Sequence, residues 1–190
     1  MSPGAEAMIR QELEPGETLL WSGQPNPNRL LTGADVFLIP FSLLWGGFVI
    51  VWEVAALGAL RYGAFFFPLF GLPFLALGIY FIAGRFWVKR YAKLRTIYAV
   101  TDRRVIALSI AFRKTVRSAS LKRLPGLEIS TGRNGSGTVT FGHFSGMSGM
   151  YENTGLEWLA RTMGPRPLAF YDLDDARAVY RLVDERLNAS

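Results

Sequence analysis

The chain has 190 residues, half of them hydrophobic and 14 % aromatic, with a net charge of +6 and no cysteine. The missing cysteines exclude disulfides, thiol catalysis and cysteine-based zinc sites, and they fit a reducing compartment. A single histidine, His143, excludes metal centres built on several imidazoles.

Residues 1–33 are polar and carry Glu6, Glu12, Glu14 and Glu17, without the basic start and early apolar run of a cleaved signal peptide. From Val36 to Gly84 the sequence is almost continuously apolar. A bilayer core of about 30 Å needs about 20 apolar residues in helical form, so the stretch is long enough to cross twice. The first span runs from Val36 through Trp52 and on to Leu60, the second from Phe65 to Gly84, and Arg61-Tyr62-Gly63 forms a tight connection. The competing reading is a buried hairpin in a soluble protein, but too little sequence remains to surround two such helices.

Within the spans, Glu53 is expected at the membrane boundary, where a carboxylate costs far less than at the centre. Ser42 and Gly46 make a small-xxx-small pair suited to close helix contact, and Pro40, Pro68 and Pro73 are expected to kink the helices.

The chain turns basic as the apolar run ends, at Arg85, Lys89, Arg90, Lys93 and Arg95, whereas the outer turn has only Arg61. The excess of Lys and Arg marks the cytoplasmic flank, so both termini are expected in the cytoplasm. Trp87 and Tyr91 on one side, and Trp52 and Tyr62 on the other, suit aromatic belts.

After this junction hydrophobicity alternates. Segments 96–101 and 104–110, separated by Asp102-Arg103, predict a β-hairpin. Further strands are predicted over 115–121, 127–131, 137–142 and 168–171, punctuated by Pro125-Gly126 and by the glycine-rich stretch 132–137. The stretch 143–167 departs from this pattern and is expected to be a long loop with a short helix around 155–163. A closing helix is predicted over 173–187, with Asp172 as N-cap, Asp174 and Asp175 in its first turn, and an apolar stripe of Ala176, Val179, Tyr180, Val183 and Leu187.

The element Trp21-Ser22-Gly23-Gln24-Pro25 after Pro15-Gly16-Glu17, the two spans, the run Thr101-Asp102-Arg103-Arg104-Val105, the strand over 137–142 and the terminal helix together resemble the bacterial pleckstrin-homology-like (PH-like) two-span membrane proteins. The resemblance covers the chain from about residue 9 onward. It implies an α+β membrane protein at the bacterial inner membrane: a transmembrane hairpin over 34–86 and a cytoplasmic antiparallel β domain over 87–190, capped by the C-terminal helix. Residues 1–33 are expected to join that domain.

No catalytic constellation is legible. His143 stands alone, Asp172, Asp174 and Asp175 suit a helix start, and the glycine-rich turn lacks the lysine and Ser/Thr of a phosphate-binding loop. Residues 144–150 lack the spacing of a nucleophile elbow. No enzyme, cofactor or metal is expected.

The basicity is concentrated where topology demands it, which removes the case for nucleic acid. Arg85, Lys89, Arg90, Lys93, Arg95, Arg103, Arg104, Lys122 and Arg123 are the candidate contacts for anionic phospholipid headgroups or a protein partner, as in a scaffold or adaptor. The alternative is a channel or transporter subunit, in which homo-oligomers of the hairpin turn Glu53 or Trp45 toward a pathway.

Overall fold

The computed structural model describes residues 3–132, 135–143, 149, 151–160, 162 and 166–188. Its helices are α1 (Pro3–Arg10), α2 (Asp35–Ala59), α3 (Phe66–Ile79), α4 (Arg85–Leu94), α5 (Glu157–Ala160) and α6 (Ala176–Asn188). Its strands are β1 (Leu19–Gly23), β2 (Thr96–Thr101), β3 (Arg104–Ser109), β4 (Thr115–Ser120), β5 (Leu127–Thr131), β6 (Gly137–Phe141) and β7 (Leu168–Leu173). The architecture is α+β, with two antiparallel sheets ordered β1-β2-β3-β4 and β5-β6-β7.

Two helical rods, Asp35–Tyr62 of 28 residues and Phe66–Leu94 of 29, are long and apolar enough to cross a membrane. They pack side by side through small residues. Ser42, Gly46, Val49, Glu53 and Ala56 are the buried stripe of α2, facing Gly71 and Gly78 of α3. A Cβ at position 71 would collide with the Glu53 carboxylate, so glycine there is what admits the acid. Elsewhere the rods are bare: only 22 % and 11 % of their apolar stretches are buried. A core helix of a soluble domain would show the reverse.

The second rod does not stop where the apolar run stops. A π-helical turn, Tyr80–Gly84, carries α3 directly into α4, so the basic segment is a continuation of the hairpin.

The β domain has two cores on opposite faces of the first sheet. Tyr98, Val100 and Val105 meet Val139, Phe141, Leu168 and Phe170 of the second sheet, closed by Ala176, Val179 and Val183 of α6. On the other face Ile97, Ala99, Ile106 and Leu108 pack against Ala5 and Ile9 of α1. Strand β2 is thus covered on both sides, which explains its unbroken apolar run. The N-terminal segment is integral to this domain, because β1 pairs with β2 and α1 covers the sheet.

The closing helix starts later than the sequence predicts. Strand β7 extends to Leu173, whose side chain is buried, and Asp172 takes a left-handed conformation at φ 52° rather than a cap position. The side chain that caps is Asp175, whose Oδ1 accepts the Ala178 amide at 3.0 Å. The predicted stripe is otherwise the buried one, with Tyr180 and Leu187 packed at its edge. The short helix expected near 155–163 is α5. The glycine-rich turn joins β5 to β6 with Thr131 opposite Gly137; Arg133 and Asn134 in it, and the 144–150 run apart from Gly149, lie outside the described residues.

Candidate functional site: the basic junction

The candidate cations separate into an inward and an outward set. Arg85, Lys89 and Lys93 recur every four residues on one face of α4, and that face is buried: they are 1 %, 3 % and 5 % exposed. Arg85 donates from Nη1 to Asp35 Oδ1 at 2.5 Å and to the Thr154 carbonyl at 3.3 Å, and from Nε to the Phe81 carbonyl at 2.9 Å. Lys89 donates to the Leu30 carbonyl at 2.7 Å. Lys93 donates to the carbonyls of Asn26 and Arg29 and pairs with Asp172 at 2.5 Å. Asn153 donates to the same Asp172 oxygen at 2.5 Å.

These contacts form a clasp. A buried cation is tolerated where carbonyls and a carboxylate replace its hydration. The lysines use carbonyls of residues 26–30, which lead into α2, Arg85 uses those of Phe81 and Thr154, and the carboxylates come from Asp35 at the start of α2 and Asp172 in β7. Gly155 completes it: at φ 84° it lies against the Arg85 carbonyl, where any Cβ would collide. Tyr80 also donates its hydroxyl to the Gly155 carbonyl.

Arg104 is likewise engaged. Its Nε and Nη2 fork the Glu17 carboxylate, each at 2.9 Å, and Nη2 also donates to the Glu12 carbonyl at 3.0 Å. Thr101 donates to Glu17 at 2.7 Å and accepts the Arg103 and Arg104 amides. Burial would raise the Glu17 carboxyl, but hydrogen bonds from Arg104, the Glu14 amide and Thr101, with the Arg104 charge, outweigh it and hold the pKa at about 2. The two sequence elements around Glu17 and 101–105 therefore bind each other.

The outward set is Arg90, Arg103, Lys122 and Arg123, all exposed, with Arg95 half-buried over the Tyr91 ring at 3.9 Å. Beside Arg90 and Arg95, Trp87 stacks on Tyr91, and Tyr91 meets Phe112 at 5.3 Å between ring centroids. Trp87 and Phe112 are among the most exposed aromatics of the β domain and its stem. Sequence reasoning missed Phe112. Its signal was an aromatic beside Arg113 and Lys114 in the short gap between two strands.

The remaining candidates have local roles. His143 Nδ1 lies 2.6 Å from Glu128 Oε1 on an exposed surface. Asp174 accepts from Asn26 Nδ2 at 2.8 Å, tying α6 to the entry of the hairpin. Glu53, read from the sequence as a boundary carboxylate, is tucked between α2 and α3, and its Oε1 has no hydrogen-bond partner among the described residues. Trp45 Nε1, in the same hairpin, is buried and has no hydrogen-bond partner among the described residues.

Comparison with protein-family models, curated proteins and solved structures gives no match.

Proposed function

We propose that this chain is a non-enzymatic integral membrane protein that holds a PH-like domain against the cytoplasmic face of the bacterial inner membrane, where the domain meets anionic lipid or a protein partner. The observation that carries the reading is the continuity of the second rod. A bare apolar helix passes without a break into α4, and α4 is clasped to the β domain by Arg85, Lys89 and Lys93. Exposed apolar surface on this scale needs a cover, and lipid is the cover that matches two side-by-side rods of this length. The domain is then held at a set height and orientation rather than tethered by a flexible linker.

The PH-like assignment is supported by a four-stranded and a three-stranded antiparallel sheet packed face to face, with the terminal helix α6 across the core. The inward cations build the stem; contact with the leaflet beside the stem falls to Arg90 and Arg95, each worth about 1 kcal/mol close to an anionic surface, whereas Arg103, Lys122 and Arg123 lie together at the opposite end of β2, β3 and β4.

The test is fractionation of the full chain. Retention in membranes through alkaline carbonate washing is expected; release into the supernatant would overturn the anchor.

A further inference from the structure

Between α4, the first sheet and β7 lies an open cleft of about 630 Å³. Its floor is two cross-strand rows of the first sheet. Thr96, Ser109 and Thr115 form one, and Tyr98, Ala107 and Arg117 the other, paired in register across β2, β3 and β4. One wall is α4, through Val88, Lys89 and Ala92; the opposite wall is Leu168, Ala169 and Tyr171 of β7 with Glu152 and Glu157 nearby. Phe112 and Arg113 stand at the rim.

The lining is two-sided in character. Val88, Ala92, Ala107 and Leu168 offer apolar surface, while the charged lining residues are Lys89, Lys93, Arg113, Arg117 and Arg166 against only Glu152 and Glu157. Internal pairs take up part of this excess. Arg166 pairs with Glu152 at 2.8 Å, Lys93 with Asp172, and Arg117 donates to the carbonyls of Arg166 and Pro167. Lys89 is buried and donates to the Leu30 carbonyl, so the exposed cation of the lining is Arg113. A cleft with a positive excess and an apolar half suits an anion that carries hydrocarbon.

Position points the same way. Residues 88–93 lie four to nine residues beyond Gly84, about 6 to 14 Å along a helix. A headgroup layer is about 5 to 7 Å deep on each side of the hydrocarbon, so the cleft opens beside it. We propose that this cleft binds one anionic amphiphile drawn from the adjoining leaflet, with its phosphate or carboxylate at Arg113 on the exposed rim and its first methylenes against Val88, Ala92 and Leu168. This rests on the membrane-anchor reading above.

The experiment is native mass spectrometry of the full chain released from detergent with phosphatidylglycerol, phosphatidylcholine or inorganic phosphate. Wild-type protein is expected to retain one phosphatidylglycerol in preference to phosphatidylcholine. Arg113→Glu, on the exposed rim, is expected to weaken retention about fivefold or more. Ala92→Phe, which fills the cleft without touching charge, is expected to weaken it at least as much. Equal retention of both lipids, or unchanged retention by both variants, would overturn the site. Displacement of the lipid by millimolar phosphate would assign the cleft to a free anion and overturn the amphiphile. The two readings fail separately: a chain that resists carbonate extraction but retains no phosphatidylglycerol loses only the cleft ligand, whereas an extracted chain loses both.

Discussion

At the scale of single residues, four of the nine cations that look like surface chemistry in the sequence, Arg85, Lys89, Lys93 and Arg104, are internal fastenings. Arg85 and Asp35 are 50 positions apart, yet they form a pair that is almost wholly buried. Arg85→Met is therefore expected to destabilise the chain by about 3 to 5 kcal/mol, and adding Asp35→Leu to restore part of that loss, because the single variant strands a buried carboxylate. Thermal unfolding in detergent of the single and double variants reads this directly.

Glu17 has a pH signature. Its carboxyl lies at about 2 in the folded protein against an ordinary 4.5, so the stabilisation is complete above about pH 4.5 and disappears as pH falls through 2. Glu17→Gln is expected to lower stability at neutral pH and to flatten its decline between pH 4.5 and 2; parallel curves for the two proteins would contradict the fork with Arg104. Glu53 carries the opposite expectation. A buried carboxylate oxygen with no partner does not stabilise the hairpin, so Glu53→Gln should leave melting unchanged or raise it, and a strong loss would reveal a partner for that acid.

At the scale of elements, the decisive object is the join between α3 and α4. The clasp depends on helical phase, since Arg85, Lys89 and Lys93 share one face only at four-residue spacing. One alanine inserted between Gly84 and Arg85 would turn that face by about 100° and lift it by about 1.5 Å. The expected result is loss of cooperative melting of the β domain and faster proteolysis around residues 26–34. An insertion in the turn at 61–63 should have little effect.

The elements also show what a sequence can display. The strands were legible because short β-branched and aromatic runs punctuated by turn residues are local signals: the predicted 96–101 strand matches β2 end to end, and the breaks at 125–126 and 132–137 bracket β5. Helix α1 was not, because the described residues of its buried face are Ala5 and Ile9 in a polar segment, and what makes it a helix in this fold is the sheet it covers. The four-residue period of Arg85, Lys89 and Lys93 was in plain view, but a cationic face next to a membrane reads as outward until its acceptors are known. Those acceptors include backbone carbonyls at 26–30, which carry no signal in the residue types. Asp172 misled for a related reason: an acid before an amphipathic run resembles a cap, and only its salt bridge to Lys93 and its left-handed backbone show another use.

At the scale of the whole molecule, the parts agree on a two-piece object with a stiff joint. Two bare rods lie together at one end, a β domain closed by α1 and α6 sits at the other, and α4 belongs to both. The basic exit that first suggested lipid contact thus separates into a structural face and a smaller exposed set around Arg90 and Arg95. Under the proposed function, that division puts the lipid-facing chemistry on the outer side of the stem and at the cleft mouth.

In the proposed topology the rods cross a membrane and leave both ends of the chain on the cytoplasmic side. Because the chain has no cysteine, single cysteines can be introduced without background. Tyr62→Cys in the exposed turn and Arg113→Cys on the β domain should be compared in intact bacterial spheroplasts with a membrane-impermeant maleimide. The expected result is labelling of the Tyr62→Cys variant from outside, and of the Arg113→Cys variant only after the membrane is opened. Labelling at position 113 in intact spheroplasts with position 62 protected would invert the topology, and protection of both positions until lysis would contradict a hairpin that crosses the membrane.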